Sequence, residues 1–249
     1  MEAVNIVNYF VAAYFGLIIG NFATSFYFRV PRNLSLWGFN YFGSMPPSCS
    51  YCRHPLKVKE YIPIVGYLLC KGQCSYCKAK IDSNYLIIEA FALLLSLFCY
   101  SQFYFSDWYL IFVFFGISSL VMSMLLLNHK EVNKNFIFFV VFCGIIYSTL
   151  INLGIYDWVF KLAISAIIFI LIMYGSYRYN LDSTHSELLK ILFVAFVWFD
   201  LRLMILYALF MLANYFLSMQ YKLVFTKYIY CYSYVVIFLI IIVNHLVKI

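Results

Sequence analysis

Long apolar stretches, each about the length of a bilayer crossing and nearly free of charge, recur through the chain and limit what it can become. About 20 apolar residues in helical form span the roughly 30 Å hydrocarbon core of a membrane. Residues 5–28, 85–103, 108–127, 136–151 and 158–174 read as such spans. The stretch 188–217 is too long for one crossing and is interrupted by Asp200, Leu201 and Arg202, so it reads as two short spans, and 228–247 as a last one. Composition agrees: of 249 residues 65% are hydrophobic, 22% aromatic and 11% charged, with a mean hydropathy of +0.90. A soluble domain carries about 25% charged residues to face water. The expected fold class is therefore an all-α polytopic membrane protein with about eight transmembrane helices and a small cytoplasmic loop domain. Intrinsic disorder, a secreted disulfide scaffold and a soluble nucleic-acid binder are excluded on the same grounds.

The formal charge of +7 follows from topology. Cytoplasmic loops of membrane proteins are enriched in Lys and Arg. Arg29, Arg32, Arg53, Lys57, Lys59, Lys71, Lys78 and Lys80 all fall in the one long polar segment, 29–83. Alternating crossings from a cytoplasmic segment there also put Lys130, Lys134, Arg178, Lys222 and Lys227 inside, while the connections near Asp107, Asp157 and Asp200 face out. Both termini then face outward. The first span lacks a basic n-region and a small-residue cleavage site, so it is expected to stay attached. The chain is expected to divide as a first span (1–28), a cytoplasmic loop (29–84) and a seven-span bundle (85–249).

Within the loop, CSYC occurs twice, as Cys49 to Cys52 and Cys74 to Cys77, with 21 residues between. Two C-x-x-C turns at this distance can bring four thiolates to one tetrahedral Zn²⁺, and four equal thiolates leave no open position for a catalytic water. The site is expected to be structural. Disulfides are the alternative, opposed by the reducing cytoplasm. Cys70 lies outside the motif, and Cys99, Cys143 and Cys231 read as small apolar residues packed in the membrane.

The residues around these cysteines resemble the type IV prepilin peptidases, leader peptidases and N-methyltransferases of bacterial inner membranes. GLIIGNF at 16–22, YFRVP at 27–31, PPSCSYC at 46–52, EYIPIVGYLL at 60–69, KGQCSYC at 71–77 and IDSNYLIIE at 81–89 follow the order and spacing of that family's first span, loop and second span. The resemblance implies a membrane aspartyl protease of type IV pilus, secretion or competence systems. Such an enzyme cuts the basic leader from pilin-like precursors with an apolar N-terminal helix, then methylates the new amine with S-adenosylmethionine. Lipid and precursor are the implied partners; nucleic acid is not. Two nearby carboxyls sharing one proton can act as base and acid together.

At the family's two Asp positions the chain differs. Asn128 stands at the first and Leu188 at the second, and the G-x-G of the second motif is replaced around His185 to Glu187. Neither Asn nor Leu exchanges protons. Glu131 and Glu187 are the candidate replacements. The alternative is a catalytically degenerate homologue that binds precursors or assembly components without cleaving them; an unrelated membrane scaffold or transporter subunit is a third class. Glu89 reads as a buried functional carboxyl or an interfacial residue, and Glu60 as a group fixing the loop against the bundle or a solvated charge. His129 and His185 flank the two Asp positions, Asp182 is a reserve carboxylate, and Asp200 with Arg202 reads as a turn cap.

Overall fold

A computed structural model describes residues 2–32, 34, 47–129, 142, 145–146, 149–150, 154–178 and 242–243. Among these the chain is mostly helical, without strands beyond two isolated bridges. The helices are α1 (Glu2–Arg29), α2 (Val65–Leu69), α3 (Ser83–Phe103), α4 (Asp107–His129) and α5 (Ile155–Arg178). All but α2 are long and apolar enough to cross a membrane. They correspond to the expected first, second, third and fifth spans. The expected spans at 136–151, 188–217 and 228–247 lie wholly or largely outside the described residues.

The chain forms two compact units, Met1–Val121 and Met122–Ile249. In the first, α1 and α3 pack through small residues. A Cβ added at Gly16 would stand 2.7 Å from Ser96 Cβ and 2.8 Å from the Ala92 carbonyl oxygen, and one at Gly20 would stand 3.1 Å from Ala92 Cβ and Glu89 Cα. Helix association in lipid gains little from the hydrophobic effect, because the tails are as apolar as the side chains; close backbone approach at small residues supplies van der Waals contact instead. Ala12, Gly16, Gly20 and Thr24, four residues apart, form one buried stripe, against which Ala92 and Ser96 lie.

The register is antiparallel. Ser96 donates its hydroxyl to the Ala12 carbonyl at 2.7 Å, while at the other end Tyr27 donates to Asp82 Oδ2 at 3.1 Å. Asn84 Nδ2 donates to the Tyr27 hydroxyl at 3.0 Å, and Asp82 caps α3 by accepting from Asn84 N at 3.0 Å. The segment between α1 and α3 therefore leaves and re-enters the pair at one end. At the opposite end Ser96 also bonds the Tyr109 hydroxyl at 2.7 Å, and Phe103 stacks on Phe112 at 5.2 Å, which brings the start of α4 onto α3.

Helix α5 is described by itself. Gly154 O accepts from Asp157 N and Trp158 N at 3.0 and 3.2 Å, with Asp157 in the first turn and Arg178 in the last. Those charges oppose the partial charges of the helix ends. Its described side chains are exposed or half-buried.

Candidate metal centre

Each C-x-x-C segment folds as the same turn. Arg53 N donates to the Cys49 carbonyl at 3.0 Å, and Lys78 N to the Cys74 carbonyl at 3.1 Å. Cys49 N then bonds His54 O at 3.0 Å, as Cys74 N bonds Ala79 O at 2.9 Å, and antiparallel bridges Ser48 to Pro55 and Gln73 to Lys80 close the two turns. The residue after the second cysteine takes a left-handed backbone in both, with φ of 55° at Arg53 and 60° at Lys78. Such a conformation is uncommon without glycine, and its repetition marks two copies of one knuckle.

The knuckles face each other. Cys49 Sγ lies 3.8 Å from Cys77 Sγ and Cys52 Sγ 3.9 Å from Cys74 Sγ, and all four sulfurs fall within 4.8 Å of one another. Four sulfurs about 2.3 Å from one tetrahedral ion stand about 3.8 Å apart. The four thiols are free and unbridged, so the spacing fits a thiolate metal site. The His54 ring stacks on Tyr76 with centroids 3.4 Å apart, and Lys57 Nζ lies 5.4 Å over the same ring, which adds contact between the knuckles.

Amide hydrogens of Cys77 and Tyr76 directed at Cys74 hold its thiol down at about 7. At Cys52 the His54 amide favours the thiolate, but desolvation and the neighbouring sulfurs of Cys77, Cys49 and Cys74 outweigh it and push the thiol up to about 11. One sulfur ionises readily and makes a second anion costly. A bound cation removes that cost, which is the usual coupling of thiolate ligation to metal. Cys70 stays outside the cluster, its sulfur 3.5 Å from Ser75 Oγ, and Cys99 is buried in α3, as expected.

Two carboxylates hold the surroundings, with their parts distributed differently from the sequence expectation. Glu60 does not tie the loop to the spans; its Oε2 accepts from Lys57 N at 2.8 Å and caps the 3-10 turn Val58–Glu60 within the loop. The Ser75 hydroxyl, the Lys57 amide and the charges of Lys57 and Lys59 hold its carboxyl below the usual range, against some desolvation. Glu89 makes the tie. It is buried in α3, and its Oε2 accepts from Ile64 N at 2.6 Å. Ile64 has φ of 62° and precedes α2, a strained setting for a β-branched residue that needs support from its surroundings. Gly66 lies so close to the Glu60 carbonyl that a side chain there has no room.

Of the residues singled out for catalysis, Asn128 lies in the last turn of α4, where its Nδ2 donates to the Met124 carbonyl at 3.0 Å. Leu188, Glu131, Glu187, Asp182, His185, Asp200 and Arg202 lie outside the described residues, as do Cys143 and Cys231 and the side chain of His129. The Tyr27, Asp82 and Asn84 cluster was not anticipated. Its only sequence signal is an Asp just ahead of an apolar run, the common mark of a helix cap.

The profile of the bacterial peptidase A24 N-terminal domain matches residues 14–103. A "type 4 prepilin-like proteins leader peptide-processing enzyme" of Escherichia coli is 27% identical over 146 residues, covering 53% of this chain and 53% of its own. The "prepilin leader peptidase/N-methyltransferase" of Neisseria gonorrhoeae is 33% identical over 97 residues, covering 32% of this chain and 34% of its own. That of Bacillus subtilis is 36% identical over 75 residues, covering 30% and 28%. The chain thus spans about half the length, or less, of these curated relatives. No solved structure matches. The profile covers both knuckles, most of the small-residue seam and the Glu89 tie, and over residues 14–103 the chain is similar to the N-terminal domain of the type IV prepilin peptidases.

Proposed function

We propose that the chain is a prepilin peptidase-type protein of the bacterial inner membrane that acts on pilin-like precursors at the cytoplasmic face. One observation carries the reading: within the matched N-terminal domain, two thiol knuckles whose four sulfurs lie within 4.8 Å of one another are fastened through Glu89 to the α1–α3 pair. In this reading Cys49, Cys52, Cys74 and Cys77 hold one structural zinc, the thiolate-only donor set favouring zinc over harder ions. The loop 29–84 is cytoplasmic and precedes a bundle that completes about eight spans with both termini outward. Clustered basic residues support this orientation through the positive-inside rule. S-adenosylmethionine enters by family likeness alone.

Hydrolysis would require a proton-sharing carboxyl pair, for which Glu131 and Glu187 are the candidates near Asn128 and Leu188. A second reading, a homologue that binds precursors without cutting them, is favoured by Asn128: its amide cannot titrate and is already bonded back to the Met124 carbonyl. Co-expression with a precursor bearing a basic leader, Gly, Phe and an apolar helix, followed by the precursor's N-terminal mass, separates the two. Leader loss abolished by Glu187→Gln supports the enzyme with the proposed pair; an intact precursor that co-purifies supports the binding homologue; an intact precursor that does not co-purify overturns both. A methyl increment on the new amine reports the transferase step.

A further inference from the structure

Helix α2 presents an unusual surface for a loop outside the spans. Val65, Leu68 and Leu69 are 46%, 60% and 64% exposed, while Gly66 is buried and Tyr67 half-buried. At about 100° per residue the three exposed positions fall within one arc of the helix, and Gly66, Tyr67 and Cys70 take the other. Tyr61 and Ile62, just ahead of α2, are exposed as well, and Val58 is 84% exposed. A run of large apolar side chains left in the open marks an interaction surface.

We propose that this face is an interfacial membrane anchor: Val65, Leu68 and Leu69 enter the headgroup boundary of the bilayer, and Lys57, Lys59 and Lys71 meet anionic lipid phosphates beside them. The inference rests on α1 and α3 being membrane spans and does not require peptidase activity.

Depth is the first argument. Ile64, which opens α2, is bonded to Glu89, six residues past Ser83 and so about 9 Å along α3 from its start. A segment fastened at the second turn of a spanning helix lies level with the membrane boundary. Apolar side chains at that level find acyl chains, as in interfacial amphipathic helices. Charge is the second argument. Residues 47–82 contain Arg53, Lys57, Lys59, Lys71, Lys78 and Lys80, all exposed, against only Glu60 and Asp82. Both acids are engaged, Glu60 by the Lys57 amide and Asp82 by Tyr27 and Asn84. The rim therefore suits an anionic surface, where each basic residue adds attraction, and it repels the basic leader of a precursor. Lysine stems also reach along apolar surface while their amines stay in water.

The test places a photo-reactive benzoylphenylalanine at Leu68 in the full chain, in nanodiscs of phosphatidylethanolamine and phosphatidylglycerol. Leu94, 66% exposed in the middle of α3, is the lipid-contact control. The proposal expects lipid adducts at both positions, and at Leu68 a severalfold excess of phosphatidylglycerol over its share of the disc. Lipid adducts at Leu94 with only protein adducts at Leu68, whether to this chain or to added precursor, overturn the anchor while leaving the spans intact. No lipid adduct at either position overturns the membrane reading of α3 together with the anchor. Adducts at Leu68 in proportion to bulk lipid overturn the role of the lysines.

Discussion

The α1–α3 seam and the loop at its end are stabilised by opposite means. Along the seam, Ala12, Gly16, Ile19, Gly20, Ala23 and Thr24 are buried on one helix and Ile88, Ala92, Leu95, Ser96 and Cys99 on the other, so packing alone supplies a continuous contact. Between residues 47 and 82 only Gly66, Gly72 and Cys74 are buried, and no branched or aromatic side chain is. A segment with so little apolar burial cannot offset the conformational entropy of ordering its backbone. It needs a cross-link, and the four thiols are placed to supply one through a metal. The contrast teaches that the loop's order calls for a cross-link such as a bound ion and the helix pair's does not. Glu89 and the Tyr27, Asp82 and Asn84 cluster are where the two meet.

The largest test of this contrast is removal of a thiol. Cys74→Ser, or a strong chelator, should lower bound metal from about one ion per chain to none, because structural zinc sites bind with about 10–16 kcal/mol and that energy is folding energy. Amide exchange should rise across 47–82 while 83–103 keeps its protection. Lowering the pH should weaken metal binding, since all four thiols must give up protons to ligate. A loop that stays protected without metal would break the comparison.

Gly16→Leu should do the reverse. Its Cβ meets Ser96 and the Ala92 carbonyl, and overpacking of this kind costs about 3 kcal/mol. Thermal stability of the helix pair should fall while metal stoichiometry is retained; an unchanged melting temperature would show that α1 does not pack where Gly16 permits it. Glu89→Ala leaves Ile64 N without its acceptor, at a cost of about 1 kcal/mol for a half-buried orphaned donor. Faster exchange confined to α2 is the expected readout, with recovery in Glu89→Gln, whose amide oxygen can still accept. Equal exchange in Ala and Gln variants would refute the tie. Ser96→Ala, which loses bonds to Ala12 and Tyr109, should cost only about 0.6 kcal/mol, the average for hydrogen bonds between membrane helices. A loss as large as that of Gly16→Leu would mean that hydrogen bonding, rather than close backbone approach, holds the seam.

Much of this is legible in the sequence. The four spanning helices agree with the apolar runs to within a few residues because hydrocarbon thickness acts on each run separately. The thiol cluster was readable because two identical CSYC turns carry their own local geometry, repeated down to the left-handed Arg53 and Lys78. The small-residue seam had a visible signal in Gly16 and Gly20, four apart in an apolar run, but nothing in that spacing names Ala92 and Ser96 as its partners. Glu60 and Glu89 were both visible as carboxylates, one within the loop and one just past its end, and local sequence did not say which held it to the spans. That choice depends on a contact between Ile64 and Glu89, 25 positions apart, and on a backbone angle at Ile64 that its residue type disfavours.

The sequence by itself therefore determined the membrane class, the positions of four spans, the thiolate set and the family likeness, because bilayer thickness and ligand spacing are short-range constraints written into consecutive residues. Only the tertiary structure decided the antiparallel register of α1 and α3, the fastening of the loop through Glu89 and the open apolar face of α2. Those depend on which distant residues come into contact once backbones approach, and a local pattern of apolar and polar residues is compatible with many such pairings.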